Sequence, residues 1–93
     1  MKVIQEDYFS RALKKLHRQK RVLVETVIKV LMKNPEVGDL KTCDLAGIRV
    51  YKFKVNQNLM LLAYRYNQEN DVLNLLAYGS HENFYRDFKR INH

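Results

Sequence analysis

A chain of 93 residues has room for one hydrophobic core and not for two independent ones. Its 46% hydrophobic and 29% charged residues belong to an ordinary globular protein, and three glycines and one proline exclude a long irregular or low-complexity architecture. The formal net charge of +7, from 17 Lys and Arg against 10 Asp and Glu, favours a polyanionic or acidic partner.

No run approaches the roughly 18 apolar residues of a membrane span, and no apolar segment precedes a small-residue cleavage site. No membrane partner is therefore expected, and the cytoplasm is the default location. The single cysteine, Cys43, can form no intramolecular disulfide, which suits a reducing compartment, and it reads as structural filler. No cofactor or metal site is expected, because the chain lacks P-loop, dinucleotide and zinc patterns.

Lys2 to Gln5 fits a short opening strand, and Asp7 is a candidate N-cap for the helix that follows. Phe9, Leu13 and Leu16 recur at i, i+4 and i+7, so they form one stripe of that helix, which should end near His17 to Gln19. Val24, Val27, Ile28 and Leu31 give Lys20 to Lys33 the same period. Asn34-Pro35 stops this second helix, since proline disfavours helical geometry in the residue before it. The two form a helical hairpin. Six cations lie between Arg11 and Arg21, around its junction, and form either a solvated face or a phosphate- or partner-contacting patch. His17, in the same stretch, has no second ligand at metal-binding spacing.

Glu36 to Asp44 reads as a connection with a few extended residues, and Leu45-Ala46-Gly47 turns the chain into Ile48 to Val55, a strand of β-branched and aromatic residues carrying three cations. Strand side chains alternate between faces, so Tyr51, Phe53 and Val55 share one face with Arg49, while Ile48, Val50, Lys52 and Lys54 share the other. Asn56-Gln57-Asn58 is a polar turn, Leu59 to Tyr66 a second strand, Asn67 to Asn70 a second turn, and Asp71 to Tyr78 a third strand, which together make an antiparallel meander. The last two strands are apolar on both faces, so both faces must be covered. The helical hairpin covers one, and a final helix over Glu82 to Ile91, fed by a Gly79-Ser80 turn and striped by Phe84, Phe88 and Ile91, covers the other. The fold class is α+β: an N-terminal helical hairpin on a small antiparallel sheet with a C-terminal helix.

Cleavage of RNA within the chain needs a base for the ribose 2′-hydroxyl, cations to hold the charge that builds on the phosphate, and an acid for the departing 5′-oxygen. All three types are present. Lys52 and Lys54 suit charge stabilisation and Arg65 a phosphate clamp. Glu82 or a neutral His81 suits the base, and His81 or Tyr85 the acid. Arg49, Arg86, Lys89 and Arg90 are further cations for RNA contacts. Each has a structural alternative: Arg65 a sheet-edge ion pair, Glu82 the acidic residue of a first helical turn, Tyr85 packing at the sheet edge.

The hairpin ending in Asn34-Pro35, the Leu45-Ala46-Gly47 turn, Tyr51-Lys52-Phe53-Lys54-Val55, the strand ending Leu62-Ala63-Tyr64, and Gly79-Ser80-His81-Glu82-Asn83-Phe84-Tyr85 occur in an order that resembles the RelE/ParE toxin superfamily of bacterial type II toxin–antitoxin systems, along nearly the whole chain. The resemblance implies a single toxin domain over residues 1–93, silenced by a cognate antitoxin. In the RelE branch, two lysines of a Tyr-Lys-x-Lys strand help to cleave mRNA in the ribosomal A site, and these match Lys52 and Lys54. An Arg or His after the last strand's glycine matches His81, and a tyrosine on the last helix is similar in position to Tyr85. The chain departs from RNA-cutting members at Leu61, where they often carry arginine. Arg65 projects from the same face about two steps along. Three functions follow from the resemblance: a metal-independent mRNA interferase, a ParE-like inhibitor of DNA gyrase, and a basic nucleic-acid-binding domain without toxicity.

Overall fold

The computed structural model describes residues 1–41, 47–81 and Phe84. In chain order the elements are β1 (Lys2–Gln5), α1 (Asp7–Lys14), α2 (Arg18–Lys33), β2 (Asp39–Leu40), β3 (Arg49–Val55), β4 (Asn58–Asn67) and β5 (Val72–Ser80). They build one five-stranded sheet of order β1-β5-β4-β3-β2, with β3, β4 and β5 forming the expected antiparallel meander. The sheet is mixed rather than wholly antiparallel, because β1 pairs in parallel with the first half of β5. The other addition is the two-residue β2, which pairs with Arg49 and Val50 in what reads from sequence as a connection.

The opening of α1 differs by one residue from the capping expected for Asp7. The Glu6 amide donates to the Leu75 carbonyl at 2.9 Å, prolonging the β1–β5 pairing by one residue. That bond holds Glu6 extended, with ψ 158°, so Glu6 is the N-cap and Asp7 the first helical residue. The hairpin junction also falls earlier than the apolar stripe suggests, with α1 ending at Lys14 and α2 beginning at Arg18. No glycine or proline marks that break. Arg21 accounts for it: its guanidinium donates to the carbonyls of Lys14 (3.4 Å) and Leu16 (3.2 Å), which the end of α1 leaves without helical partners. Arg21 is therefore committed to structure.

Both faces of the sheet are apolar, as the composition of the central strands requires. On one face Phe9, Val24, Ile28 and Leu31 of the hairpin pack against Leu62, Tyr64, Leu73, Leu75 and Tyr78. On the other, Ile48, Val50, Leu61, Ala63 and Ala77 form a second cluster closed by Phe84. His81 and Phe84 are helical, while the rest of the expected final helix, with Phe88 and Ile91, lies outside the described residues, as does Cys43. Gly79 and Ser80, expected as a turn, instead continue β5, because they pair with Leu61 and Met60 of β4.

An irregularity in β5 lets one strand serve both cores. Tyr64 pairs with Leu75 and Ala63 with Ala77, which leaves Leu76 as an extra residue. Leu76 and Ala77 both go to the second cluster, and the alternation resumes with Tyr78 beneath the hairpin. There the Tyr78 ring stacks on Phe53, which stacks on Tyr51, with centroids 6.1 and 6.2 Å apart.

The connection after α2 is fastened by Tyr64. Its buried hydroxyl accepts from the Gly38 amide (2.9 Å) and donates to the Pro35 carbonyl (2.7 Å), and burial pushes its pKa above the usual phenol value. Gly38 is required at this contact, since an added Cβ would lie 2.7 Å from the Tyr64 hydroxyl. Arg49 donates to the carbonyls of Gly38 (2.9 Å) and Glu36 (3.1 Å), so the same loop is held from β3. Gly47 meets a different requirement, a φ of +82° that residues with a Cβ disfavour.

Candidate functional site

β3 is the strand on which the cations collect. Its alternation is the one read from sequence: Val50 is buried in the second cluster, Tyr51 and Phe53 lean toward the hairpin, and Lys52 and Lys54 are exposed on the second face. Neither lysine has a hydrogen bond or ion pair to any described residue. Two positions apart on one face, their ammonium groups reinforce each other's field, and Asp39, which lines a small cleft with Lys52, forms no ion pair with it.

Across the ladder Lys52 stands opposite Leu61 and Lys54 opposite Leu59. Leu61 in turn pairs with Gly79, and Met60 with Ser80. Met60–Ser80 is the last pair of this ladder, and His81, which follows it as a helical residue, lies at the Leu59–Lys54 end of the sheet, about two strand spacings or roughly 10 Å from β3. His81 is exposed. A long lysine side chain and an imidazole at that separation can reach the same phosphodiester from two sides, so the fold unites Lys52, Lys54 and His81 at one end of the sheet.

Arg65 is not part of that group. It is exposed and pairs with Asn74, four residues beyond Leu61 and six beyond Leu59. At about 3.3 Å per residue it lies roughly 13 to 20 Å along β4 from the lysines' partners. Arg49 projects to the opposite face from Lys52 and Lys54 and is engaged with the loop carbonyls. Glu82, Tyr85, Arg86, Lys89 and Arg90 lie outside the described residues. Leu61, at the position of the family's arginine, has no exposed surface. It packs in the second cluster under Phe84, whose ring also lies 3.7 Å from where a Cβ on Gly79 would be.

A cleft of about 500 Å³ opens at the same end of the sheet. The tip of the β3–β4 hairpin supplies Gln57, Asn58, Leu59 and Met60, the end of β5 supplies Ser80 and His81, and α2 supplies Lys20. Sequence reasoning did not single out Lys20, Gln57 or Asn58 as site residues. The available signal was Asn56-Gln57, a two-residue turn carrying a side chain where glycine is usual.

Lys20 belongs to a wider basic surface. Arg18, Lys20 and Arg21 crowd the first turn of α2, which has no acidic residue. There they face the positive end of the helix dipole, an arrangement that is unfavourable without an anionic partner. Arg11 of α1 and Lys15 just after it border a second cleft of about 400 Å³ with Tyr8 and Tyr78. Among the described residues no three His, Cys, Asp or Glu side chains gather at a distance suited to a metal ion, and no helix is long and apolar enough to cross a membrane.

The family model of the ParE-like toxin of type II bacterial toxin–antitoxin systems matches residues 3–89. The chain belongs to this family. It is a type II toxin of the RelE/ParE superfamily, as the order of its motifs implied. Its fold is similar to that of solved RelE proteins. The isolated Escherichia coli RelE toxin superposes with a TM-score of 0.67 at 18% identity, covering 97% of either chain. The RelBE2 toxin–antitoxin complex of Mycobacterium tuberculosis gives 0.72 at 23% identity, covering 86% of this chain and 96% of that one. The archaeal RelE–RelB complex of Pyrococcus horikoshii gives 0.60 at 16%, covering 85% and 92%. No curated protein matches the chain in sequence.

Proposed function

We propose that this toxin is an mRNA interferase, an endoribonuclease that acts in the bacterial cytoplasm on message in the ribosomal A site. What supports the reading is that Lys52 and Lys54 share one exposed face of β3 and that the exposed His81 follows β5 at the same end of the sheet. A base takes the proton of the ribose 2′-hydroxyl, the 2′-oxygen bonds to phosphorus, and the bond to the 5′-oxygen breaks as an acid protonates it. Lys52 and Lys54 stabilise the charge that accumulates on the phosphoryl oxygens, and His81 exchanges a proton with the 2′- or the 5′-oxygen. Glu82 and Tyr85 complete the proton transfers in this proposal. Arg65, distant along β4, helps to hold substrate rather than the scissile phosphate, and Arg86, Lys89 and Arg90 add phosphate contacts.

A cognate antitoxin silences the activity. RelE proteins of the same fold have been solved with RelB antitoxins. In this chain α2 exposes Val22 (51%) and Leu23 (46%) beside its basic residues. An antitoxin segment that mixes apolar and acidic side chains suits such a surface.

The experiment is to map transcript 5′ ends shortly after induction in cells. New ends in phase with codons and dependent on translation support the interferase. A second reading, a ParE-like gyrase inhibitor, is favoured by one observation: the family's catalytic arginine is replaced by Leu61, fully buried in the core. Intact messages with trapped gyrase–DNA complexes are its signature.

A further inference from the structure

We infer that the cleft between α1 and β5 is a nucleoside-phosphate subsite, in which Arg11, Lys15 and the Tyr78 hydroxyl hold the phosphate and the Tyr8 ring stacks on the base. Tyr78 belongs to the hairpin face of the sheet and Lys52 and Lys54 to the other, so this subsite is separate from those lysines. It stands whether or not the toxin cuts RNA.

The lining follows from the helix period. Tyr8, Arg11, Ala12 and Lys15 are spaced at i, i+3, i+4 and i+7, so they share one face of α1, with Lys15 in the αR conformation that extends its last turn. Across from them Tyr78 of β5 forms the other wall. Ala12 has no side chain beyond Cβ and leaves room between its longer neighbours. The resulting volume of about 400 Å³ is that of a small-ligand site.

The polar groups of the cleft are unused. Tyr78 is only 7% exposed, its ring fixed against Phe53, yet its hydroxyl has no hydrogen bond to any described residue. Among the described residues the one fully enclosed, unpartnered side-chain polar atom is Arg21 Nε. The Tyr78 hydroxyl therefore reaches open space, and the cleft is open space that Tyr78 lines. Burial pushes its pKa above the usual phenol value, so it keeps its proton and can donate. Arg11 and Lys15 are exposed and have no hydrogen bond or ion pair to any described residue, and Arg11 makes none even with Asp7, four positions earlier on the same helix.

A guanidinium, an ammonium and a phenol can each donate to a separate oxygen of one phosphate. The rest of the cleft selects what carries that phosphate. Apart from Ala12 its apolar surface is tyrosine ring, which stacks on a nucleobase. An acidic peptide is the other anion that suits a basic surface, but the exposed aliphatic side chains it would cover, Val22 and Leu23, are on α2 and not in this cleft.

The test titrates uridine 5′-monophosphate, inorganic phosphate and a 2′-O-methyl pentanucleotide, which lacks the attacking hydroxyl and cannot be cut, into the whole chain carrying isotope-labelled tyrosine. Uridine monophosphate should shift the NMR signals of the Tyr8 and Tyr78 rings and bind roughly tenfold more tightly than inorganic phosphate, the difference being the stacked base. Tyr8→Leu should abolish that difference, and Arg11→Gln/Lys15→Gln should abolish binding of all three probes. Tyr78→Phe should weaken nucleotide and phosphate alike by roughly tenfold, with the melting temperature unchanged or raised, because the deleted hydroxyl has no partner in the protein. A lowered melting temperature with unchanged affinity would assign that hydroxyl a structural role and overturn the subsite. Tighter binding of the pentanucleotide than of the monophosphate identifies the ligand as an RNA chain, and equal or weaker binding identifies a free nucleotide; either supports the subsite. No shift at Tyr8 and Tyr78 with any of the probes, or tighter binding there of a glutamate-rich peptide, overturns it. The Lys52→Ala/Lys54→Ala protein should give the same affinities at Tyr8 and Tyr78, which keeps the outcome for this subsite apart from that for the nuclease.

Discussion

Restoring the arginine that RNA-cutting relatives often carry, Leu61→Arg, should damage this protein rather than improve it. Leu61 has no exposed surface and packs among Val50, Ala63, Ala77 and Phe84. Removing it forfeits about 2 kcal/mol of apolar burial. The guanidinium that replaces it either stays buried without a carboxylate, at a cost of several kcal/mol, or displaces Phe84 to reach water. Lys52, its cross-strand partner, adds like-charge repulsion. The sum is about 4 kcal/mol or more, against a total stability of roughly 5–15 kcal/mol for a domain of this kind. Thermal denaturation should show a fall of about 15 °C or more, at roughly 4 °C per kcal/mol. Leu61→Met, which keeps volume and polarity, should cost less than about 1.5 kcal/mol. An arginine variant as stable as the wild type, with raised cleavage activity, would show that position 61 opens onto the site and that the packing argument is wrong.

Other parts of the structure make equally specific demands. Tyr64→Phe leaves the buried Gly38 amide without its acceptor and should cost about 2–3 kcal/mol, measured by urea denaturation. Because burial raises the Tyr64 pKa, its phenol stays neutral in the folded protein where the unfolded chain already ionises. The stability this represents is fully present below pH ~10 and is lost as pH rises through the folded value, so the wild type should lose stability faster at alkaline pH than Tyr64→Phe does. Gly38→Ala, with its methyl group driven against the Tyr64 ring, should cost at least ~1–3 kcal/mol, and the effect should be non-additive with Tyr64→Phe. Gln57→Gly should gain roughly 0.5–1 kcal/mol in the same assay by removing the left-handed strain of a residue with a Cβ.

Much of this architecture is legible in the amino-acid order because its signals are local. The period of Val24, Ile28 and Leu31 defines the buried stripe of α2, and Asn34-Pro35 marks its end. The alternation of Val50, Tyr51, Lys52, Phe53 and Lys54 states which side chains face solvent. What stays hidden is set by distant partners. The break before Arg18 has no glycine or proline and depends on Arg21 reaching back to Leu16. The strand Asp39–Leu40 exists because Tyr64 and Arg49 fasten the loop before it. The bulge at Leu76 comes from a strand that must supply two cores, and Gly79-Ser80 is strand rather than turn because β4 extends far enough to pair with it. Within the candidate site, the shared face of Lys52 and Lys54 follows from alternation alone. The distance of Arg65 from that pair, and the burial of Leu61, depend on register and on the packing of Phe84.

The measurement that bears most directly on the proposed function is transcript cleavage by the Lys52→Ala/Lys54→Ala double variant, with 5′ ends mapped on translated messages and folding checked by thermal denaturation. Both side chains are exposed and unpartnered among the described residues, so the melting temperature should hardly change. Loss of two charge-stabilising cations should lower cleavage by at least the ~10²–10³ typical of one such group and abolish growth arrest. A folded double variant that still cuts message and arrests growth as the wild type does would contradict the assignment of this site.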